Sequence, residues 1–265
     1  MTTEFKDKNY WALVLGGSSG LGLATAKKLA KHGMNICVVH RNPRMQEEAI
    51  SKEFKIIEQE GIRFKAFNSD AFHQQKRKAI VQELKSILGE NQKIKVLVHS
   101  VAKGNLKPMV SDEKAELQHD DFILTIQAMG ISLYDWTKSI FEAKLFAEDA
   151  RVLSFTSEGN SKAWQSYAAV SAAKVTLEAI SRNMALEFAP YGIKANCIQA
   201  GVTDTTSLRM IPGSEQIIKY TLKRNPNKRL TTPEDVANVV YLLTKDEASW
   251  ITGTVIPVDG GEHLV

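Results

Sequence analysis

Residues 11–33 read "WALVLGGSSGLGLATAKKLAKHG". The opening apolar run has the continuous pattern of a strand buried on both faces. From Ser19 onward the pattern is that of an amphipathic helix, closed by Gly33. Between the two stand Gly16, Gly20 and Gly22, spaced G-x-x-x-G-x-G. Glycines in this position let the backbone approach a pyrophosphate and aim the helix amino terminus at it. Tight turns also use glycine for structural reasons alone. The context, a strand before and a helix after at the start of an α/β chain, points to a dinucleotide.

Outward from this stretch, short apolar runs keep alternating with longer amphipathic ones. "NICVVH" is a second strand, followed by a helix over roughly residues 43–60; "IRFKAFNSD" is a third strand and "HQQKRKAIVQELKSILG" a third helix. "IKVLVHSVA" is a fourth strand, residues 120–146 read as helical, and "ARVLSFTS" is a fifth strand. A long helix over "YAAVSAAKVTLEAISRNMALEFAPYG", a strand "IKANCIQAG", a helix "TPEDVANVVYLLT" and a strand "GTVIPVDGG" complete the chain. This alternation predicts one Rossmann-like doubly wound α/β domain over residues 1–265, with a seven-stranded parallel sheet flanked by helices. The irregular stretch 203–230 is its one sizeable insertion.

Composition narrows the class. A hydrophobic share of 43% with 24% charged residues is that of an ordinary soluble globular protein. No apolar run approaches the ~20 residues needed to span a bilayer, and "MTTEFKDKNYW" has no signal-peptide pattern. Cys37 and Cys197 sit in apolar stretches, which suits buried thiols and a cytoplasmic location. No metal-ligand spacing occurs. The net charge of +4 is modest and scattered, so neither nucleic acid nor a membrane is expected as a partner.

The second strand speaks to the choice of dinucleotide. It runs into "VVHRNPRM", with no acidic residue until Glu47 to bond the adenosine ribose. Arg41, with Asn42 beside it, and Arg44 stand where a 2′-phosphate would sit, and arginine suits phosphate through its forked donors. NADPH is therefore expected over NADH. Arginines in such a loop are otherwise solvated surface charges.

"SYAAVSAAK", residues 166–174, places Tyr167 and Lys174 seven positions apart, with Val170 four before the lysine. Positions i and i+7 share a helix face as i and i+4 do, but their rise is roughly 10.5 Å rather than roughly 6 Å. The lysine is then better placed to hold the nicotinamide ribose than to act on the phenol. A phenol with a pKa of about 10 stays protonated near neutrality and can donate to an oxygen that gathers charge. In enoyl thioester reduction the hydride goes to the β-carbon, two atoms further from that oxygen than in carbonyl reduction. A tyrosine displaced along the helix suits the enoyl case.

From Trp11 to Val265 the chain resembles the short-chain dehydrogenase/reductases, through "VLGGSSGLG", Asp70 after the third strand, the Tyr–Lys helix, "EFAPYGIKANCIQAGVTDT" and "VIPVDGG". Only their combination is specific. Within that family the Tyr-x6-Lys arrangement and "LVHSVA" resemble bacterial enoyl-acyl-carrier-protein reductases, and overall the NADPH-using type III branch. The resemblance implies the following roles. Ser18, Ser19 and Leu21 join Gly16, Gly20 and Gly22 around the cofactor, and Asp70, between Ser69 and Ala71, bonds the adenine. Ser100, Val101 and Ala102 pass along the cofactor, and Thr203 and Thr205 hold the carboxamide.

Three features depart from the pattern. Ser157 stands where many enoyl reductases carry a further tyrosine, and it occupies the position of the ordinary family's catalytic serine; either it assists the substrate carbonyl or it satisfies a strand end. Thr125 and Gln127 lie where the ordinary family has a helix asparagine. The glycine loop lacks the arginine that the type III branch often has.

The insertion 203–230 suits a lid over an acyl chain, lined by Leu208, Met210, Ile211, Ile217 and Ile218 or burying them in a short helix. Arg209, Lys219, Lys223 and Arg224 make it basic, which would suit an acidic carrier protein or simply face solvent. The expected activity is NADPH-dependent reduction of a trans-2-enoyl thioester in fatty acid biosynthesis, on acyl carrier protein, by a homo-oligomer that the resemblance makes a tetramer. The alternatives are a 3-oxoacyl or carbonyl reductase using Ser157 and Tyr167, and a non-catalytic NADPH-binding regulator.

Overall fold

The computed structural model describes residues 3–265. The chain runs β1 (Tyr10–Leu15), α1 (Gly20–Lys31), β2 (Asn35–His40), α2 (Glu47–Glu58), β3 (Phe64–Asn68), α3 (Gln74–Leu88) and β4 (Lys93–His99). It continues through α4 (His119–Ile126), α5 (Ser132–Glu142), β5 (Phe146–Ser157), α6 (Ala168–Glu187) and β6 (Ile193–Ala200). The last part holds α7 (Thr206–Arg209), α8 (Ser214–Arg224), α9 (Pro233–Thr244) and β7 (Val255–Val258). All seven strands form one parallel sheet in the order β3-β2-β1-β4-β5-β6-β7.

Strand alternation divides the core in two. Trp11, Leu13 and Leu15 of β1 pack with Ile80 and Leu84 of α3, Leu133 and Trp136 of α5, and Leu177 of α6. Ala12 and Val14 face the opposite way, onto Leu29 of α1, Phe54 of α2 and Val240 of α9. A strand covered on both faces needs apolar residues at every position, which is why β1 reads as a continuous run. Pro257, which cannot donate to a sheet ladder, is tolerated because β7 is an edge strand.

Two boundaries differ from the sequence expectation. The helical stretch foreseen over residues 120–146 is two helices joined by a π turn (Gln127–Ile131), and it ends at Glu142. Lys144 has φ +59, which breaks the helix, and β5 already begins at Phe146. No helix is long and apolar enough to cross a membrane among the described residues.

The strand order reverses between β1 and β4, since β2 and β3 lie on one side and β5 to β7 on the other. In an open parallel sheet the loops diverge at that point and leave a crevice beyond the carboxyl ends of the strands.

Candidate active site

A cavity of about 870 Å³ occupies that crevice, lined from the loops after β1, β2, β3, β4, β5 and β6. Gly16, at φ +81, turns the chain after β1; a Cβ there would fall 2.2 Å from the Ser100 carbonyl oxygen. Gly22 would place its Cβ 2.4 Å from the Gly16 oxygen. Gly22 therefore serves close packing of α1 on the turn and is not among the residues lining the cavity. Ser18, Ser19, Gly20 and Leu21 do line it, at the amino terminus of α1. Neither a side-chain cap nor an acidic first turn occupies that terminus, so its positive end faces the cavity.

At the far end, Arg41, Asn42, Ser69 and Ala71 line the cavity but Asp70 and Arg44 do not. Asp70 instead accepts from Arg41 Nη1 at 2.8 Å and from the Phe72 N–H at 3.0 Å. The two residues expected to make separate cofactor contacts are thus an ion pair with each other. Asn42 Oδ1 accepts from Ser18 Oγ at 2.8 Å, with His40 Nδ1 at 2.9 Å. Sequence reading missed Lys27 and Glu53, which pair across α1 and α2 on this wall. Lys27 stands seven residues after Gly20, the same helix face, and that spacing was the available signal.

The other half of the cavity gathers Ser100, Val101, Ala102, Ser157, Tyr167, Lys174, Thr203 and Thr205. Tyr167 is the residue before α6 rather than a residue within it, with φ −111 and ψ 0, and Ser166 before it has φ +60. Its ring packs beside Trp164, centroids 5.6 Å apart, and against Gly159, where a Cβ would lie 2.3 Å from Cε1. Its hydroxyl is 3.4 Å from Ser157 Oγ. Burial raises the Tyr167 phenol above its ordinary value, outweighing the Ser157 hydrogen bond, so it stays protonated.

Lys174 is buried and donates to the Phe155 carbonyl oxygen at 2.6 Å. Burial pulls its ammonium down to about 8, against the opposing pull of Cys197 and Glu178. His99, also missed by sequence reading, lies buried at the end of β4 with Nε2 2.7 Å from Ser132 Oγ. Burial, then Lys174, pushes its imidazole down to about 3, so it is neutral.

Leu106, Met129, Trp164 and Val170 form an apolar wall, completed by Leu208, Met210 and Ile211. Ile217 and Ile218 are absent from that wall; α8 turns them elsewhere. Thr125 and Gln127 are absent too, Thr125 Oγ1 donating to the Asp121 carbonyl. Of the basic residues expected in 203–230, Lys219 and Lys223 are exposed and Arg209 and Arg224 are paired. Arg209 pairs with Asp204 through two contacts of 2.7 Å, and Arg224 pairs with Glu158 and Glu262. Glu158 and Glu262 both line the cavity and both went unnoticed in the sequence.

Taken with known proteins, residues 16–263 match the family described as enoyl-(acyl carrier protein) reductase. The chain is 28% identical over 261 residues to the enoyl-acyl-carrier-protein reductase (NADH) FabI of Enterococcus faecalis, covering 98% of each. It is 27% identical over 268 residues to the enoyl-acyl-carrier-protein reductase (NADPH) FabI of Staphylococcus aureus, covering 99% of each. The crystal structure of an enoyl-acyl-carrier-protein reductase (NADH) from Aquifex aeolicus superposes with a TM-score of 0.83 at 22% identity, over 98% of each chain. That last likeness concerns the fold.

Proposed function

The chain belongs to the enoyl-(acyl carrier protein) reductase family of short-chain dehydrogenase/reductases, and from that premise we propose that it is an NADPH-dependent enoyl thioester reductase. The observation that carries the reading is at α6. The position four before Lys174, where a carbonyl reductase of this family would need its tyrosine, is Val170, an apolar part of the cavity wall. The only phenol lining the cavity among the described residues belongs to Tyr167.

The residues present suit a dinucleotide. The uncapped amino terminus of α1 and the close turn at Gly16 suit a pyrophosphate. Arg41 and Lys27 suit a 2′-phosphate, which would compete with Asp70 and Glu53 for them. Thr203 and Thr205, which line the same cavity, would hold the carboxamide, and Lys174 would hold the ribose hydroxyls. Bound there, the nicotinamide supplies a hydride to the β-carbon of the substrate. Tyr167, protonated and buried, donates to the thioester oxygen as it gathers charge. The wall from Leu106 to Ile211 excludes water from the acyl chain, with 203–230 as the lid. The reading extends to a substrate on acyl carrier protein and to a homo-oligomer, tetrameric in the enzymes it resembles, which sedimentation of the purified protein checks.

A second reading rests on the 3.4 Å approach of Ser157 Oγ to the Tyr167 hydroxyl, an arrangement that would also polarise a ketone. The experiment that separates the two is NADPH oxidation by the purified protein with a trans-2-enoyl thioester and, in parallel, a 3-oxoacyl thioester. Consumption with the enoyl compound alone is expected. Consumption with the oxo compound alone would replace the first reading by the second.

A further inference from the structure

One charged cluster on the cavity wall is used by neither the cofactor contacts nor the reacting residues. Arg224 ends α8, with its side chain 9% exposed. Its Nη2 donates both to Glu158 Oε2 and to Glu262 Oε1, the latter at 2.7 Å, while Nη1 donates to the Val265 carbonyl at 3.0 Å. The two carboxylates are 7% and 1% exposed. Glu158 directly follows Ser157.

Each carboxylate also holds a partner elsewhere. Glu262 Oε2 accepts the Val202 N–H at 3.2 Å, and its Oε1 accepts from Thr221 Oγ1 at 3.2 Å. Glu158 accepts from Lys162 Nζ at 3.1 Å. One guanidinium on α8 thus reaches the residue beside Ser157 and, through Glu262, the backbone of 202–205. That short strap carries Thr203 and Thr205.

Well-packed apolar residues would stabilise such a junction as well as buried charges do, so the charges matter for the geometry they impose. A planar guanidinium shared by two carboxylates admits few arrangements. Without it Glu262 would be a buried carboxylate with no cation beside it and Glu158 would keep only the more exposed Lys162, so the junction is costly to leave half-made.

We propose that Arg224 is a positioning residue that makes α8 and the strap 202–205 open and close as one unit. Ordering of the strap then orders α8 and completes the apolar wall at Leu208, Met210 and Ile211. Its consequence for turnover rests on the enoyl reductase reading; the mechanical coupling does not.

The test is backbone amide hydrogen exchange on the full-length protein, with and without NADPH, together with steady-state kinetics on a trans-2-enoyl thioester. In free Arg224→Met protein, exchange is expected to rise about tenfold both across α8 and at Val202, with β4 and β5 unchanged. NADPH should then protect the strap without protecting α8. KM for the thioester should rise about tenfold while kcat stays within about twofold, a split that mere loss of fold would not give. Arg224→Lys should restore part of both effects. Should Arg224→Met fail to fold, Glu262→Gln, which keeps the shape and drops the charge, is expected to show the same paired rise in smaller measure. Faster exchange in α8 alone, with Val202 as in the wild type, would overturn the proposal. If the wild type neither binds NADPH nor reduces the thioester, the functional reading fails, while exchange in the free protein still decides the coupling.

Discussion

Lys174 couples the chemistry of the cavity to pH. Its ammonium is held down to about 8, first by burial. Below that pH it is charged, as the proposed hold on the ribose hydroxyls requires; above it the charge is lost. In that role, the dissociation constant for NADPH is expected to rise by roughly 25-fold between pH 7.5 and 9.5, following the free enzyme's titration. Fluorescence titration checks this, and in Lys174→Met the pH dependence should be flat; a slope retained in the variant would move the titration to another group. Stability runs the other way. The folded-state value lies below the unfolded one, so the unfolded chain binds more protons between about pH 8 and 10.5 and this group's contribution improves as pH rises through that window. The sequence showed that a tyrosine and a lysine stood seven apart, but not this depressed value, because burial of the lysine depends on β5 and β6 packing over it.

At the scale of elements, the junction between β5 and α6 sets the position of Tyr167. The helical pattern after the tyrosine made it look like part of the helix, yet Ser166 with φ +60 closes the preceding loop and Tyr167 only caps α6. The ring is fixed by Gly159 and Trp164, and no periodicity in the sequence reports that. Gly159→Ala drives a methyl group into the ring at 2.3 Å from Cε1, and both partners are buried. With Tyr167 in its proposed role, a displacement of that size is expected to lower kcat/KM at least tenfold, by about the 10²-fold that a 1 Å misplacement costs. NADPH affinity should stay within about twofold. Measured kinetics with unchanged kcat/KM would detach the ring's position from the reaction.

Across the whole molecule, the cavity at the carboxyl ends of the strands is balanced by a charged cluster at the amino ends. Lys95 of β4 donates to Asp149 at 2.9 Å and to Asp246 at 3.0 Å; Arg151 and Lys194 also donate to Asp149. Lys95 and Arg151 are 1% and 0% exposed. Burial works against ionisation of Asp149, but the hydrogen bonds from Arg151, Lys194 and Lys95 hold its carboxyl well below the usual range. Asp149→Asn leaves two buried cations short of a counter-charge and is expected to cost about 3 kcal/mol in chemical denaturation. A loss under about 1 kcal/mol would show that Asp246 and the backbone carbonyls suffice.

By itself the sequence determined the parallel sheet, its seven strands, the glycine turn and the Tyr–Lys pair. Each is written in local patterns: continuous apolar runs for strands buried on both faces, helical spacing between them, and residue types at fixed offsets. Only the tertiary structure decided which charges meet. Arg41 and Asp70 are 29 residues apart, Arg224 and Glu158 are 66 apart, and Arg224 and Glu262 are 38 apart. Such pairings depend on where loops from different strands end, which no local periodicity encodes. For the same reason the sequence did not show that Arg224 is drawn inward by the buried carboxylates of Glu158 and Glu262, while Lys219 and Lys223 stay at the surface.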